Sequence, residues 1–191
     1  MTDRELLAEY DRWFRDDPDP WRFTLSPYEQ AKRAATVAAC GPEGGRTVLE
    51  LGAANGVLAA DLAPLARRLV AVEAAPSAAA LARERLAPLA GCDVIEGLVP
   101  QHVPAGPFDL IVASEILYYL DDPSYARTLA ALPEWLAPGG RVVAVHWRPA
   151  GPERPRAAAD VHADLAALPT LRVAHEAPTD EYLLTVLDAV T

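Results

Sequence analysis

From Arg46 onwards, short apolar runs alternate with stretches of helical periodicity, and few folds accept that alternation. Residues 47–51, 69–73, 93–96, 108–114 and 141–147 read as strands. Residues 57–63, 77–87 and 123–136 read as helices between them, and Pro138-Gly139-Gly140 reads as a turn. Strands separated by helices imply a parallel sheet covered on both faces. A helix at 156–168 is followed by strand-like segments at 171–176 and 182–188. The linker 177–181 is too short for a crossover helix, so those two strands are expected to pair antiparallel. The expected fold class is therefore α/β, a three-layer sandwich around a mostly parallel seven-stranded sheet with an antiparallel last strand.

Upstream the pattern is helical. Leu6, Leu7, Tyr10, Trp13 and Phe14 recur at helical spacing in a charged segment. Pro18 and Pro20 then break the helix, because proline lacks the N–H and clashes with the preceding turn. Ser26-Pro27-Tyr28-Glu29 is a helix start: Ser26 caps, Pro27 fits the first turn and Glu29 completes a capping-box pattern. That helix is expected to run to about Ala39 and stop near Gly41-Pro42. Residues 1–40 are thus expected to form an N-terminal helical cap on a core spanning 46–191, within a single domain. Trp21 and Tyr28 flank the second helix start and are candidates to close over a ligand, with the Pro18–Pro20 break as the boundary of a mobile piece.

Charge narrows the partners. Seventeen basic residues against 27 acidic ones leave a net charge of −10, which repels phosphate backbones and disfavours nucleic acid. Lys32 is the only lysine. Cys40 and Cys92 are too few and too far apart for a metal site or a disulfide framework, and both are expected to be reduced and buried. No metal is expected. The charged N-terminus has no signal-peptide core, and no run of about 20 apolar residues suggests a membrane span, so a cytoplasmic location is expected.

The turn after the first strand reads Glu50-Leu51-Gly52-Ala53-Ala54-Asn55-Gly56 and leads into a helix. Small residues permit a tight turn, Gly56 can take positive φ, and the helix start offers free N–H groups. Such turns hold dinucleotides, nucleoside cofactors or phosphates, or simply connect a strand to a helix. Glu73 ends the second strand, 21 residues after Gly52, where an acid accepts hydrogen bonds from both ribose hydroxyls. Together these features point to an adenosine-type ligand, and NAD satisfies them as well. The observed Gly-x-x-x-Gly spacing fits a dinucleotide's Gly-x-Gly-x-x-Gly poorly.

The ordered set Val48-Leu49-Glu50-Leu51-Gly52-x-Ala54-x-Gly56, Val70-Ala71-Val72-Glu73, Phe108-Asp109-Leu110-Ile111 and Leu136-Ala137-Pro138-Gly139-Gly140 resembles the class I, Rossmann-like S-adenosylmethionine-dependent methyltransferases. Asp19-Pro20-Trp21-Arg22-Phe23, Ser26-Pro27-Tyr28-Glu29 with Lys32, and Ser114-Glu115-Ile116-Leu117-Tyr118-Tyr119-Leu120 are similar to the nodulation protein S family within that class. The resemblance implies S-adenosylmethionine as cofactor and S-adenosylhomocysteine as product. It places Glu50 near the methionine end, with Gly52, Ala53, Ala54, Gly56, Glu73, Ala74, Ser114, Glu115, Trp21 and Tyr28 as further cofactor contacts. Ala54 stands at the family's middle glycine and is expected in a common backbone region. Glu96-Gly97-Leu98 stands where an adenine-binding carboxylate is usual, so Leu98 is expected to offer only its backbone. The family implies a small-molecule acceptor, such as the amine of an amino sugar.

Methyl transfer is an in-line displacement, and open α/β sheets bind at the carboxyl ends of their strands. Those ends carry Ser114, Glu115, Tyr118 and Tyr119 after the fourth strand, and His146 and Trp147 on the fifth. Glu115 is a candidate to hold a cationic amine or accept its proton, and Tyr118 and Tyr119 to form an aromatic wall. His146 is the candidate general base, because imidazole titrates near neutral pH. Tyr119, Trp147 and His162 are candidates for the acceptor side. An N-methyltransferase is the first reading and an O-methyltransferase using His146 the second. A nicotinamide-dependent oxidoreductase or a non-catalytic nucleoside-binding module is the third.

Overall fold

The computed structural model describes residues 3–149, 151 and 154–190. The first two residues of the expected N-terminal helix therefore lie outside the described residues. Helix α1 (Asp3–Asp16) and α2 (Pro27–Cys40) precede β1 (Arg46–Leu51), α3 (Val57–Leu62), β2 (Ala66–Glu73), α4 (Pro76–Leu86) and β3 (Cys92–Glu96). They are followed by β4 (Phe108–Ser114), α5 (Asp122–Trp135), β5 (Leu136–Trp147), α6 (Ala158–Ala166), β6 (Leu171–Glu176) and β7 (Tyr182–Ala189). Among the described residues no helix is long and apolar enough to cross a membrane.

One seven-stranded sheet has the order β3-β2-β1-β4-β5-β7-β6. The pairs from β3 to β5 are parallel, and β7 runs antiparallel to both β5 and β6. The strands are near-continuous apolar runs because helices cover both faces. Leu49, Ile111 and Val142 pack under Leu132 and Trp135 of α5 and Val161 and Leu165 of α6. Val48, Leu110 and Val143 face the other way, under Cys40 of α2 and Leu58, Ala59 and Leu62 of α3. Period-two alternation within each strand feeds both layers.

Several local readings needed correction. The Pro138-Gly139-Gly140 turn is not separate from the fifth strand but bulges within it, between the pairs Phe108↔Leu136 and Leu110↔Arg141. Helix α6 is shorter than the expected 156–168, bracketed by Pro155 and Pro169. The capping box at α2 closes on one side only. Ser26 Oγ accepts the Glu29 N–H at 3.4 Å, while the Ser26 N–H donates to Arg22 O and the Glu29 carboxylate turns to Lys32. Cys40 is buried as expected, but Cys92 at the start of β3 is only half-buried.

The β1-to-α3 turn depends on glycine at its last position. Gly56 has φ of 75°, and a Cβ there would lie 2.9 Å from Ala82 Cα of α4. Gly139 has a similar φ of 73° with nothing within 4 Å of its Cβ position. Gly56→Ala is therefore expected to destabilise the fold by about 2–4 kcal/mol, combining backbone strain with overpacking. Gly139→Ala should cost only the strain, about 1–2 kcal/mol. Thermal unfolding of the two variants checks this; equal losses would remove the close approach of α3 and α4 as the reason for Gly56.

Candidate functional site

At the carboxyl ends of β1, β2 and β4 lies a cavity of about 970 Å³. It sits where the strand order reverses, between β1 and β4, the usual place for a ligand in an open α/β sheet. Its floor is the β1 turn, with Gly52, Ala53, Ala54 and Asn55. The Gly52 and Ala53 N–H groups are spent on Val72 O, at 2.8 and 3.1 Å. Gly52 must be bare, since a Cβ there would lie 2.9 Å from Ile116 Cβ.

Glu73 fastens that floor to β2. Its Oε2 accepts the Ala54 N–H and its Oε1 the Ala75 N–H, each at 2.8 Å. A carboxylate has about four acceptor positions, so capacity remains for ribose hydroxyls. Burial pushes the Glu73 carboxyl up, against the backbone hydrogen bonds from Ala75, Ala54 and Ala74. Ala54 itself has φ of 49°, not the common region expected for it. The strained conformation aims its N–H at Glu73, which offsets the cost.

Glu50 is the other carboxylate at the floor, 2% exposed, and its Oε2 has no hydrogen-bond partner. Burial first, and then the charge of Glu73, raise its pKa well above the ordinary carboxylate value. A buried carboxyl oxygen without a partner, lining a cavity, fits a ligand that brings an N–H or ammonium donor. Glu50 and Glu73 together thus fit the ammonium and ribose ends of an S-adenosyl cofactor. Leu98, Val99 and Ala74 supply an apolar flank for its base.

The roof comes from the N-terminal helices. Asp11 Oδ1 accepts the Ser77 N–H at 2.7 Å, tying α1 to the start of α4. Phe14 is buried on Ala75 and Ala78. Trp21 packs among Tyr10, Trp13, Phe14 and Phe23, with ring centroids 5.3–5.7 Å away. Asp19 closes the 18–25 segment by accepting the Phe23 and Thr24 N–H groups at 2.7 and 2.9 Å. Asn55 of the β1 turn donates to Pro18 O at 2.8 Å, and Tyr10 meets Tyr119 at 5.4 Å. The aromatic roof is therefore fastened to both sides of the cavity.

The opposite end of the cavity is organised by Lys32 and Glu115. Lys32 is 5% exposed and donates to Glu29 Oε1 at 3.1 Å and Glu115 Oε1 at 2.9 Å, with its ammonium 5.0 Å from the Tyr28 ring centroid. Burial disfavours its charge, but Glu115 and Glu29 outweigh that and hold its pKa above the ordinary value. Glu115 Oε2 accepts the Tyr118 hydroxyl and the Trp147 N–H, the latter at 3.0 Å. The carboxylate therefore takes three donors from α2, the turn after β4 and the end of β5. Tyr28 also lines the cavity; its hydroxyl is buried without a partner, and burial pushes its pKa up to about 12.

Trp21, Tyr28, Glu50, Gly52, Ala53, Ala54, Glu73, Ala74, Leu98, Ser114, Glu115, Tyr118, Tyr119 and Trp147 all line this one cavity. Five candidates do not. Gly56 serves helix packing instead, as described above. Glu96 pairs with Arg83 at 3.2 Å, and Gly97 lies under His102, 2.4 Å from a would-be Cβ. The Leu98 N–H donates to His102 Nδ1 at 3.0 Å, so the backbone donor expected there is already engaged. His146 is fully buried, with Nε2 accepting the Leu117 N–H at 3.3 Å and Nδ1 3.1 Å from His162 Nε2. Neither histidine lines the cavity. The pattern reading also passed over Lys32 as a site residue. Its signal was present, as the only lysine in an arginine-rich chain, three residues after Glu29.

Comparison with known proteins gives this geometry its context. The family described as Nodulation protein S (NodS) matches residues 7–148. Nodulation protein S of Sinorhizobium fredii is 35% identical over 145 residues, which cover 75% of this chain and 63% of that protein. Nodulation protein S of Rhizobium tropici is 33% identical over 145 residues, covering 75% of this chain and 57% of that protein. The chain thus spans about six-tenths of the length of these curated relatives. The crystal structure of N-methyltransferase NodS from Bradyrhizobium japonicum in complex with S-adenosyl-L-homocysteine is 26% identical, with a TM-score of 0.86 over 97% of this chain and 98% of that one. The chain belongs to the nodulation protein S family and has the class I, Rossmann-like methyltransferase fold.

Proposed function

We propose that this protein transfers the methyl group of S-adenosylmethionine to the nitrogen of a small-molecule acceptor, an amino sugar or related metabolite. The observation that carries the reading is the pair of buried carboxylates at the reversal point. Glu50 has an oxygen without a partner, and Glu73 keeps acceptor capacity beyond its backbone donors. The S-adenosyl-L-homocysteine in the Bradyrhizobium relative supports the same ligand class. When bound, the cofactor supplies an electrophilic sulfonium methyl, which a nitrogen lone pair attacks as the carbon–sulfur bond breaks.

The chain's own work is positioning and dryness. Tyr10, Trp13, Trp21 and Phe23 roof the cavity with apolar surface and exclude water. Glu115, held by Lys32, Tyr118 and Trp147, fixes the acceptor wall rather than accepting a proton. Among the described residues no imidazole lines the cavity, so a hydroxyl acceptor would have to use one of its carboxylates as base. An amine needs only to shed its proton to solvent before reaction. The name of the Bradyrhizobium relative, an N-methyltransferase, favours the same choice.

With methyl-labelled cofactor and a deacetylated, glucosamine-type oligosaccharide, label should appear on the acceptor nitrogen. Across acceptors of different basicity, kcat/KM should rise about tenfold per pH unit up to each amine's own pKa. An ascending limb fixed at one pH for every acceptor would identify an enzyme base and contradict the reading.

Cofactor binding should itself respond to pH. Burial, and then the charge of Glu73, favour the protonated form of the Glu50 carboxyl in the ligand-free site. A ligand ammonium favours the ionised carboxylate, so binding should release a proton, and affinity should increase as pH rises towards the raised Glu50 pKa. Calorimetric heats in two buffers of different ionisation enthalpy measure that proton, and Glu50→Gln should abolish the difference. Identical heats for the native protein in both buffers would contradict this role for Glu50.

A further inference from the structure

We propose that His146 is a positioning residue, whose bare Nε2 holds the Leu117 N–H and thereby fixes the turn that forms the acceptor wall. The inference rests on the methyl-transfer reading of the cavity but reaches residues outside it. His146 is the last but one residue of β5, on the face covered by α6, where it is fully buried. A backbone N–H can only donate, so the Leu117 contact at 3.3 Å requires His146 Nε2 to carry no proton.

That one backbone group sets the polarity of a longer chain. A neutral His146 must then be protonated at Nδ1, which donates to His162 Nε2 at 3.1 Å. His162 is in turn protonated at Nδ1, which donates to Thr185 Oγ1 of β7 at 2.7 Å. Burial keeps both rings neutral. It lowers the His162 pKa to about 4, and it lowers that of His146 well below the ordinary value, aided by His162 and Lys32. The chain links β5, α6 and β7 and delivers a single acceptor to the Leu117 N–H. Its Nδ1–H tautomer is fixed by the partner beyond, as with histidines held by a second hydrogen bond elsewhere.

The Leu117 N–H lies in the middle of the turn that matters. Residues 115–119 include four side chains that line the cavity: Glu115, Ile116, Tyr118 and Tyr119. Glu115 has φ of 57°, a conformation that persists only where its surroundings enforce it. Ile116 rests on Gly52, and Tyr119 meets Tyr10 of the roof. The Tyr118 ring is 4.9 Å from the His146 ring, and its hydroxyl bonds to Glu115. Leu117, a short helical turn's first residue, is buried beneath them. Without an acceptor at His146, a buried N–H is orphaned at the centre of this wall.

Four measurements on the full chain test the proposal. Nitrogen NMR of the imidazoles should show His146 protonated at Nδ1 and bare at Nε2; a proton on Nε2 would overturn it. His146→Gln places an oxygen where Nε2 stands, whereas His146→Leu offers no acceptor. The Leu117 amide should stay protected from hydrogen exchange in the native protein and in His146→Gln, and lose protection in His146→Leu. With acceptor and cofactor, His146→Gln should keep most of the native kcat. His146→Leu should lose roughly 10- to 100-fold in kcat while cofactor KM is unchanged. Equal losses in the two variants, or a parallel rise in cofactor KM, would mean that His146 only packs the core. The NMR and exchange readouts need no turnover, so absence of methyl transfer by the native protein would sink the functional reading without deciding this one.

Discussion

The site depends on one reversal in the sheet. Strands β1 and β4 are neighbours, and from that line the chain winds outward to β3 on one side and to β5, β7 and β6 on the other. Helices cannot fill the crevice where the winding changes direction, so the carboxyl ends of β1 and β4 stay open. The turns that leave these two strands must both bend sharply. Ala54 and Glu115, one in each turn, take positive φ without being glycine. Strain at such positions persists only when surrounding contacts enforce it. Glu73 does so for Ala54, and Lys32, Tyr118 and the Trp147 N–H do so for Glu115.

The buried polar groups divide into three kinds, and the division tracks their roles. Glu115 and Lys32 are held by several protein partners, which makes them girders of the proposed acceptor wall. His146, His162 and Thr185 form a neutral chain inside the core, where low polarity strengthens each hydrogen bond and penalises any missing one. Glu50 and the Tyr28 hydroxyl are buried and unpartnered, and both residues line the cavity. This third kind, together with Glu73, has bonding capacity left for a ligand. Residue type alone does not separate the three kinds; the partners do.

The sheet and its helices were legible in the sequence because strand–helix alternation, prolines and glycines act locally. The antiparallel β6–β7 pair followed from a linker too short to cross over. The floor of the site was legible too, since Glu50, Gly52 and Glu73 occupy positions fixed by strand ends. What local pattern did not carry was the direction of individual side chains near those ends. His146 precedes Trp147 by one residue, and in a strand that step flips the side chain to the opposite face. Trp147 therefore lines the cavity while His146 enters the core. Lys32 stood out as the only lysine, but its pairing did not, because one of its two carboxylates comes from a turn 83 residues away. Gly97 and the Leu98 N–H are taken by His102, a residue that no motif marks.

The central claim concerns the class of ligand held between Glu50 and Glu73, and direct titration tests it best. Calorimetry of the full chain against S-adenosylhomocysteine and against NAD should give saturable binding of the first, lost on Glu73→Ala, and none of the second. Saturable binding of NAD with no binding of S-adenosylhomocysteine would contradict the account at its foundation.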